Sequence, residues 1–347
     1  MKNNAKKTKK LLPLAVLLAA AALLGILLAV LTRSNTDAAD TTIPLCGFTA
    51  EEIDRLAYSG NNMDVTLLKG STGDWMLDSD PALPLDQEKV TSLVEQYAAL
   101  AALRKLEGSD LAELPEKSAA PQMTITIGAG DKSLALTVDQ LNTVADVYYV
   151  YDESGAAYTV MRSDLATLSK SPRDLYKAQT LTDKTLSDVA SMQVNDLQFT
   201  QTDGSWTLTD APDYPVSQSS IKKMASTILQ MQTAWTVTAP EADTAYGLDS
   251  PDVTAVLTFT DGTSLTVRFG NAVAAAADGS DGDSLCYLAS DAAPTVVYEV
   301  NADSKLAYAV TKESLYEETA TAETAASDPV AQYPVGGEDD YADSLPE

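Results

Sequence analysis

The chain has 347 residues, with 23 Lys plus Arg against 50 Asp plus Glu, two Cys and no His. Its length suits two domains of ordinary size, each burying its own core. The lack of His excludes Ser-His-Asp and Cys-His catalysis, HExxH zinc sites and His-based proton transfer near neutral pH.

The charge is unevenly placed. Six basic residues and no acidic ones fall in the first 33 positions, which leaves 17 against 50, a balance of −33, from Ser34 onward. Such a surface repels phosphate backbones and anionic lipid alike, so no nucleic acid is expected as a partner.

Residues 1–10 form a basic tail carrying Lys2, Lys6, Lys7, Lys9 and Lys10. Residues 11–31 hold no charge and predict a single transmembrane helix of about 31 Å, against a hydrocarbon core of about 30 Å. The lysines before it, with only Arg33 close behind, put the N-terminus in the cytoplasm and the rest outside the cell membrane. A cleaved signal peptide would have a shorter apolar run and a small-x-small site, which Thr36-Asp37-Ala38-Ala39 supplies poorly. Residues 32–49 read as a tether. Residues 317–347 contain nine acidic residues and no Lys or Arg, and read as a disordered acidic tail.

Between them the sequence repeats itself, a first unit over 50–178 and a second over 179–316. Gly73-Asp74-Trp75-Met76-Leu77 returns as Gly204-Ser205-Trp206-Thr207-Leu208, and Pro84-Leu85-Asp86-Gln87 as Pro215-Val216-Ser217-Gln218. Val90, Leu93, Tyr97 and Leu100 stand opposite Ile221, Met224, Ile228 and Met231 at helical spacing, and Asp86 and Ser217 sit where an N-cap belongs. Leu175-Tyr176 faces Leu315-Tyr316. Each unit is predicted to be strands, helix, then strands. In the first, strands lie near 53–58, 63–69 and 73–77, the helix at 86–104, and later strands near 122–127, 133–138, 147–152 and 156–161, with a short helix to close. Gly128-Ala129-Gly130 and Asp261-Gly262 mark hairpin turns. The fold class that follows is α+β: one N-terminal transmembrane helix, then two repeated units with mainly antiparallel sheets.

The W-x-L, Pro and amphipathic-helix order, followed by Tyr246-Gly247-Leu248-Asp249-Ser250-Pro251 and Phe269-Gly270, resembles the domain-of-unknown-function family 4340 over roughly residues 50–316. The first copy departs from the string, reading Leu111-Ala112-Glu113-Leu114-Pro115. The resemblance implies a bacterial protein anchored by one helix, an accessory beside integral membrane subunits of an ABC-type transport system. It carries over no catalytic, cofactor or metal residues.

Other candidates each have a plainer reading. Trp75 and Trp206 could stack sugars, but their matching places suit a core. Asp278-Gly279-Ser280-Asp281-Gly282-Asp283 offers oxygen ligands without EF-hand spacing. Ser219-Ser220-Ile221-Lys222 satisfies Ser-x-x-Lys but has no companion motif. Gly128 to Ser133 lacks phosphate-loop spacing. Tyr148, Tyr149 and Tyr151 could line a groove or pair across a sheet. Cys46 and Cys286 could form a disulfide, or serve as two unrelated small apolar residues. The expectation is a non-enzymatic extracytoplasmic accessory protein; the alternative is a binding module for cell-wall glycan or a small ligand.

Overall fold

The computed structural model describes residues 42–60, 63–274 and 284–317. The expected membrane span, the basic tail, most of the tether, the acidic tail beyond Glu317 and the Asp278–Asp283 stretch lie outside the described residues. Among those described, no helix is long and apolar enough to cross a membrane.

The first unit runs β1 (Ile43–Pro44), β2 (Arg55–Gly60), β3 (Met63–Lys69), β4 (Trp75–Leu77), α1 (Gln87–Ala98), β5 (Ala101–Ala102), β6 (Arg104–Leu106), α2 (Ser109–Ala112), β7 (Met123–Ala129), β8 (Lys132–Asn142), β9 (Val147–Asp152), β10 (Ala157–Met161) and α3 (Arg162–Ala166). The second runs β11 (Val189–Val194), β12 (Leu197–Thr202), β13 (Ser205–Leu208), α4 (Gln218–Leu229), β14 (Trp235–Val237), β15 (Val253–Phe259), β16 (Ser264–Ala272), β17 (Leu285–Ser290) and β18 (Val297–Asn301). Each unit builds one eight-stranded antiparallel sheet, ordered β4-β3-β2-β7-β8-β9-β10-β6 and β13-β12-β11-β15-β16-β17-β18-β14. The two orders are the same, strand for strand. The sequence repeat is therefore a repeat of topology, and strands outweigh helices in both units.

Alternation explains why each sheet presents one face to a core. β15 buries Val253, Ala255, Leu257 and Phe259 and turns Thr254, Val256 and Thr258 outward. These inward residues cluster with Ile221, Met224 and Ile228 of α4, the helical face expected from spacing. Val90, Leu93 and Tyr97 of α1 do the same in the first unit. Both helices are capped as expected. The Asp86 carboxylate accepts from the N–H groups of Glu88 and Lys89, and Ser217 Oγ accepts from that of Ser220.

The structure corrects the first helix. It ends at Ala98 rather than running to residue 104, and β5 and β6 follow at once. Leu103 N–H donates to Thr159 O at 2.8 Å, which places the chain beside β10. Ala, Leu, Arg and Lys favour helix intrinsically, but strand pairing overrides a preference worth only a few tenths of a kcal/mol per residue. Ordered structure also reaches back before residue 50, because Ile43 and Pro44 pair with Ala102 and Ala101. The units also share an irregularity at their centre. β11 meets β15 through a bulge at Ala190, and in the first unit Asp54 N–H donates to Gly128 O beside the Arg55–Gly128 pair.

Candidate functional site

The residues shared by both repeats form a clamp. In each unit the first helical residue is Gln, and its amide grips the outer edge of the sheet. Trp75 N–H donates to Gln87 Oε1 at 2.7 Å, and Gln87 Nε2 donates to Trp75 O at 3.0 Å. Trp206 and Gln218 repeat this at 2.7 Å each way. A side-chain amide here imitates one more strand on edge strands that would otherwise present unpaired backbone groups. Both indoles are buried beneath the helix, so they are core residues rather than stacking platforms. The Trp206 indole N–H finds no acceptor among the described residues, consistent with a side chain placed for its apolar area.

The Tyr246–Pro251 string is a second framework element. Asn271 N–H donates to Tyr246 O at 2.7 Å, and Arg268 Nη1 donates to Leu248 O at 2.6 Å while pairing with Asp243 at 3.0 Å. Gly247 adopts φ +70° against the Asn271 side chain, where a Cβ would collide. Leu248 is fully buried, and Tyr246 stacks edge-on against Tyr287 at 4.8 Å. The string ties an incoming loop to the end of β16. The first unit does the same with other residues at the end of β8. Buried Asp139 accepts from Ser118 N–H, and Gln140 Nε2 donates to Glu116 O. This explains why the first copy can lack the string yet keep the fold.

The units meet at a polar seam. The Tyr176 hydroxyl lies 2.7 Å from both Thr233 Oγ1 and Thr236 Oγ1, all three buried. Its ring packs on Trp235 at 5.4 Å. Arg173 stacks over Trp235 at 4.8 Å. Its Nη1 stands 2.9 Å from Glu299 Oε2 but off the hydrogen-bond axis, so that contact is coulombic. Glu299 has a side chain only 6% exposed and would be an uncompensated charge without Arg173. Thr238 donates to Asp80 across the same seam at 2.7 Å.

Comparison with protein families, curated proteins and solved structures gave no match.

The remaining sequence candidates resolve into structure. Gly130 is the tip of the β7–β8 hairpin, its N–H held by Asp54. Ser219 and Ser220 cluster around the Ser217 cap. Tyr148, Tyr149 and Tyr151 divide between two apolar clusters. Cys46 and Cys286 are free and sit in different cores, where burial pushes both thiols up, Lys305 partly offsetting this for Cys286. No group of three acidic or Cys residues is placed to hold a metal among the described residues. An open groove of about 460 Å³ runs along α1, with Lys89, Gln96, Lys170 and Asp174 on its walls. Burial there opposes ionisation of Asp174, but hydrogen bonds from the Ser171 hydroxyl and N–H, with Lys170 and Lys89 nearby, hold its carboxyl below the usual range. What sequence reading missed is the clamp and the seam. The signal for the first was visible, a Gln at the same place in both repeats.

Proposed function

We propose that this chain is a non-enzymatic, membrane-anchored accessory protein whose two-unit body stands on the extracytoplasmic side beside a membrane transport complex. The observation that carries the reading is the use made of the shared residues. Trp75 and Trp206, Gln87 and Gln218, and the buried helix faces all hold the framework, and the seam joins both frameworks into one body. That is the design of a scaffold that presents surfaces. The apolar run at 11–31 with its basic flank supports the anchor. The resemblance to domain-of-unknown-function family 4340 supports the transport setting, by analogy.

A binding module is the second reading, favoured by the groove along α1. One experiment separates them. The full-length protein, purified from detergent-solubilised membranes, should bring down integral membrane proteins, and a Ser344→Cys variant should react with an impermeant thiol reagent on intact cells. A small sugar or peptide at 100 times its dissociation constant would add about 2.7 kcal/mol of stability to a binding module. Such a stabilisation, with no membrane partner recovered, overturns the accessory reading.

A further inference from the structure

The closing segments of the two units run in step. From Tyr158 to Tyr176 and from Tyr298 to Tyr316 the offset is 140 without a gap, so Leu165 of α3 stands where Lys305 does and Arg162 where Ala302 does. The strands agree. Gln122 N–H donates to Val138 O as Asp252 N–H donates to Phe269 O, so Gln122 matches Asp252. Just beyond, both sheets carry the same irregularity, between Val138 and Leu141 and between Phe269 and Ala272.

What fills this place differs between the units. In the second, the Lys305 side chain is only 20% exposed, and its Nζ donates to Asp252 Oδ2 at 2.7 Å and to Gly270 O. An ammonium on a four-carbon stem closes the end of that sheet. The first unit has Leu165 for the lysine, neutral Gln122 for the aspartate, and Arg162 in place of Ala302. It leaves a pocket of about 280 Å³, with Met123, Val138 and Leu165 as an apolar floor and Gln122, Arg162 and Ser169 on the polar side.

The donors in this pocket are under-used. The Ser169 hydroxyl has the Met123 thioether at 3.8 Å, a weak acceptor. Arg162 has Asp146 at 3.7 Å, in a pair whose side chains are both more than half exposed. Such a pair contributes little and yields readily to a better partner. No Asp or Glu lines the pocket. A guanidinium without a carboxylate, in so acidic a chain, reverses the polarity found at the same place in the second unit. The planar fork of Arg162 matches a carboxylate in two bonds. The floor accepts an aliphatic group, and the volume lies at the small end of ligand sites.

We propose that this pocket, between β7 and α3 of the first unit, binds a carboxylate borne on a small apolar body, either a free acid or the C-terminus of a polypeptide. The second unit closes the equivalent place with its own lysine and so has one site fewer. The proposal rests on the pocket alone. Recovery of membrane partners by the full-length protein neither follows from it nor tests it.

Met123 in the floor supplies the readout. Full-length protein in detergent, isotope-labelled at the methionine methyls, is titrated with N-acetyl-leucine and followed by nuclear magnetic resonance. The Met123 signal should move along a saturating curve, with a dissociation constant on the order of 1 mM for a ligand of this size, while Met224 and Met231 in the second core stay still. Arg162→Ala and Gln122→Asp copy residues that the second unit carries at the same places. Each should weaken binding about tenfold, the first by removing a charge-assisted bond and the second by repulsion; unmoved Met224 and Met231 signals show that the variants are folded. Acetyl-Ala-Ala-Leu separates the sources: binding at least as tight as that of N-acetyl-leucine assigns the site to polypeptide C-termini, weaker binding assigns it to free acids, and either supports the site. A Met123 signal that does not move, that moves equally with N-acetyl-leucinamide or inorganic phosphate, or that is indifferent to Arg162→Ala overturns the proposal.

Discussion

Gln218→Glu is the sharpest test of the clamp, because it changes no volume. Gln218 Oε1 accepts the Trp206 N–H, and Nε2 donates to Trp206 O, both at 2.7 Å, with Val216 O at 3.4 Å from the same nitrogen. A carboxylate keeps the first bond and turns the second into two oxygens facing each other. Losing the bond costs about 1 kcal/mol, and leaving a part-buried carbonyl against a charge adds about 1–3 kcal/mol, a total of about 2–4. Over the size range of these units that lowers Tm by about 7–15 °C. The sign of the pH dependence follows. Facing two carbonyls, the new carboxyl has a folded pKa raised above its unfolded value of about 4.3. Its contribution is therefore complete below that value and is lost as pH rises through the folded pKa. Thermal unfolding followed by circular dichroism should show the variant approaching the wild type as pH falls from about 6 to about 4, when a protonated Glu can again donate to Trp206 O. Gln218→Ala should instead be destabilised equally at both ends. If the Glu variant matches the wild type at pH 7, or its deficit does not shrink on acidification, the clamp is not holding the edge.

Two further outcomes are expected. Gly270→Ala should destabilise by more than about 2 kcal/mol, because a Cβ there would meet the Tyr246 carbonyl oxygen, a backbone atom that cannot swing aside, while Gly204→Ala, at φ +81° with open space around it, should cost about 1–2 kcal/mol from strain alone; chemical denaturation of the pair reads the difference. Burial holds the hydroxyls of Tyr58, Tyr97 and Tyr308 well above the ordinary tyrosine range, so all three groups stabilise the fold below the unfolded pKa of about 10 and lose that contribution as pH rises above it. Denaturation midpoints should fall steadily above that pH, and Tyr308→Phe should flatten the slope.

The repeat was legible because it combined fixed spacing with residues of strong local meaning: Trp75 and Trp206, a cap at Asp86 or Ser217, and helical apolar positions ending in Leu100 and Met231. All of these are buried or capped as expected, except that Leu100 and Met231 lie just past helices that end at Ala98 and Leu229. The end of α1 was not legible. Residues 99–106 look helical on their own, and only the distant partners Ile43, Pro44 and Thr159 make them strands. The seam was hidden for a related reason. Tyr176 and Tyr316 are equals in the alignment, and nothing local distinguishes the one that is covered. The string at Tyr246–Pro251 stood out in sequence as a motif, yet Arg268, Asn271 and Gly247 use it to fasten a loop.

The shared register has a consequence for how the chain could entangle with itself. Each sheet is completed by joining an N-terminal three-stranded block to the strands that follow the helix, β2 to β7 and β11 to β15. Two adjacent units of the same topology invite exchange, in which the block of one completes the sheet of the other. Register does not oppose it: Ile53, Leu56 and Tyr58 are buried at the spacing of Val189, Met192 and Val194, so either block would keep its apolar side inward on either sheet. Connection length decides instead, because each block reaches its own sheet across a single helix, whereas exchange closes a loop through a whole unit.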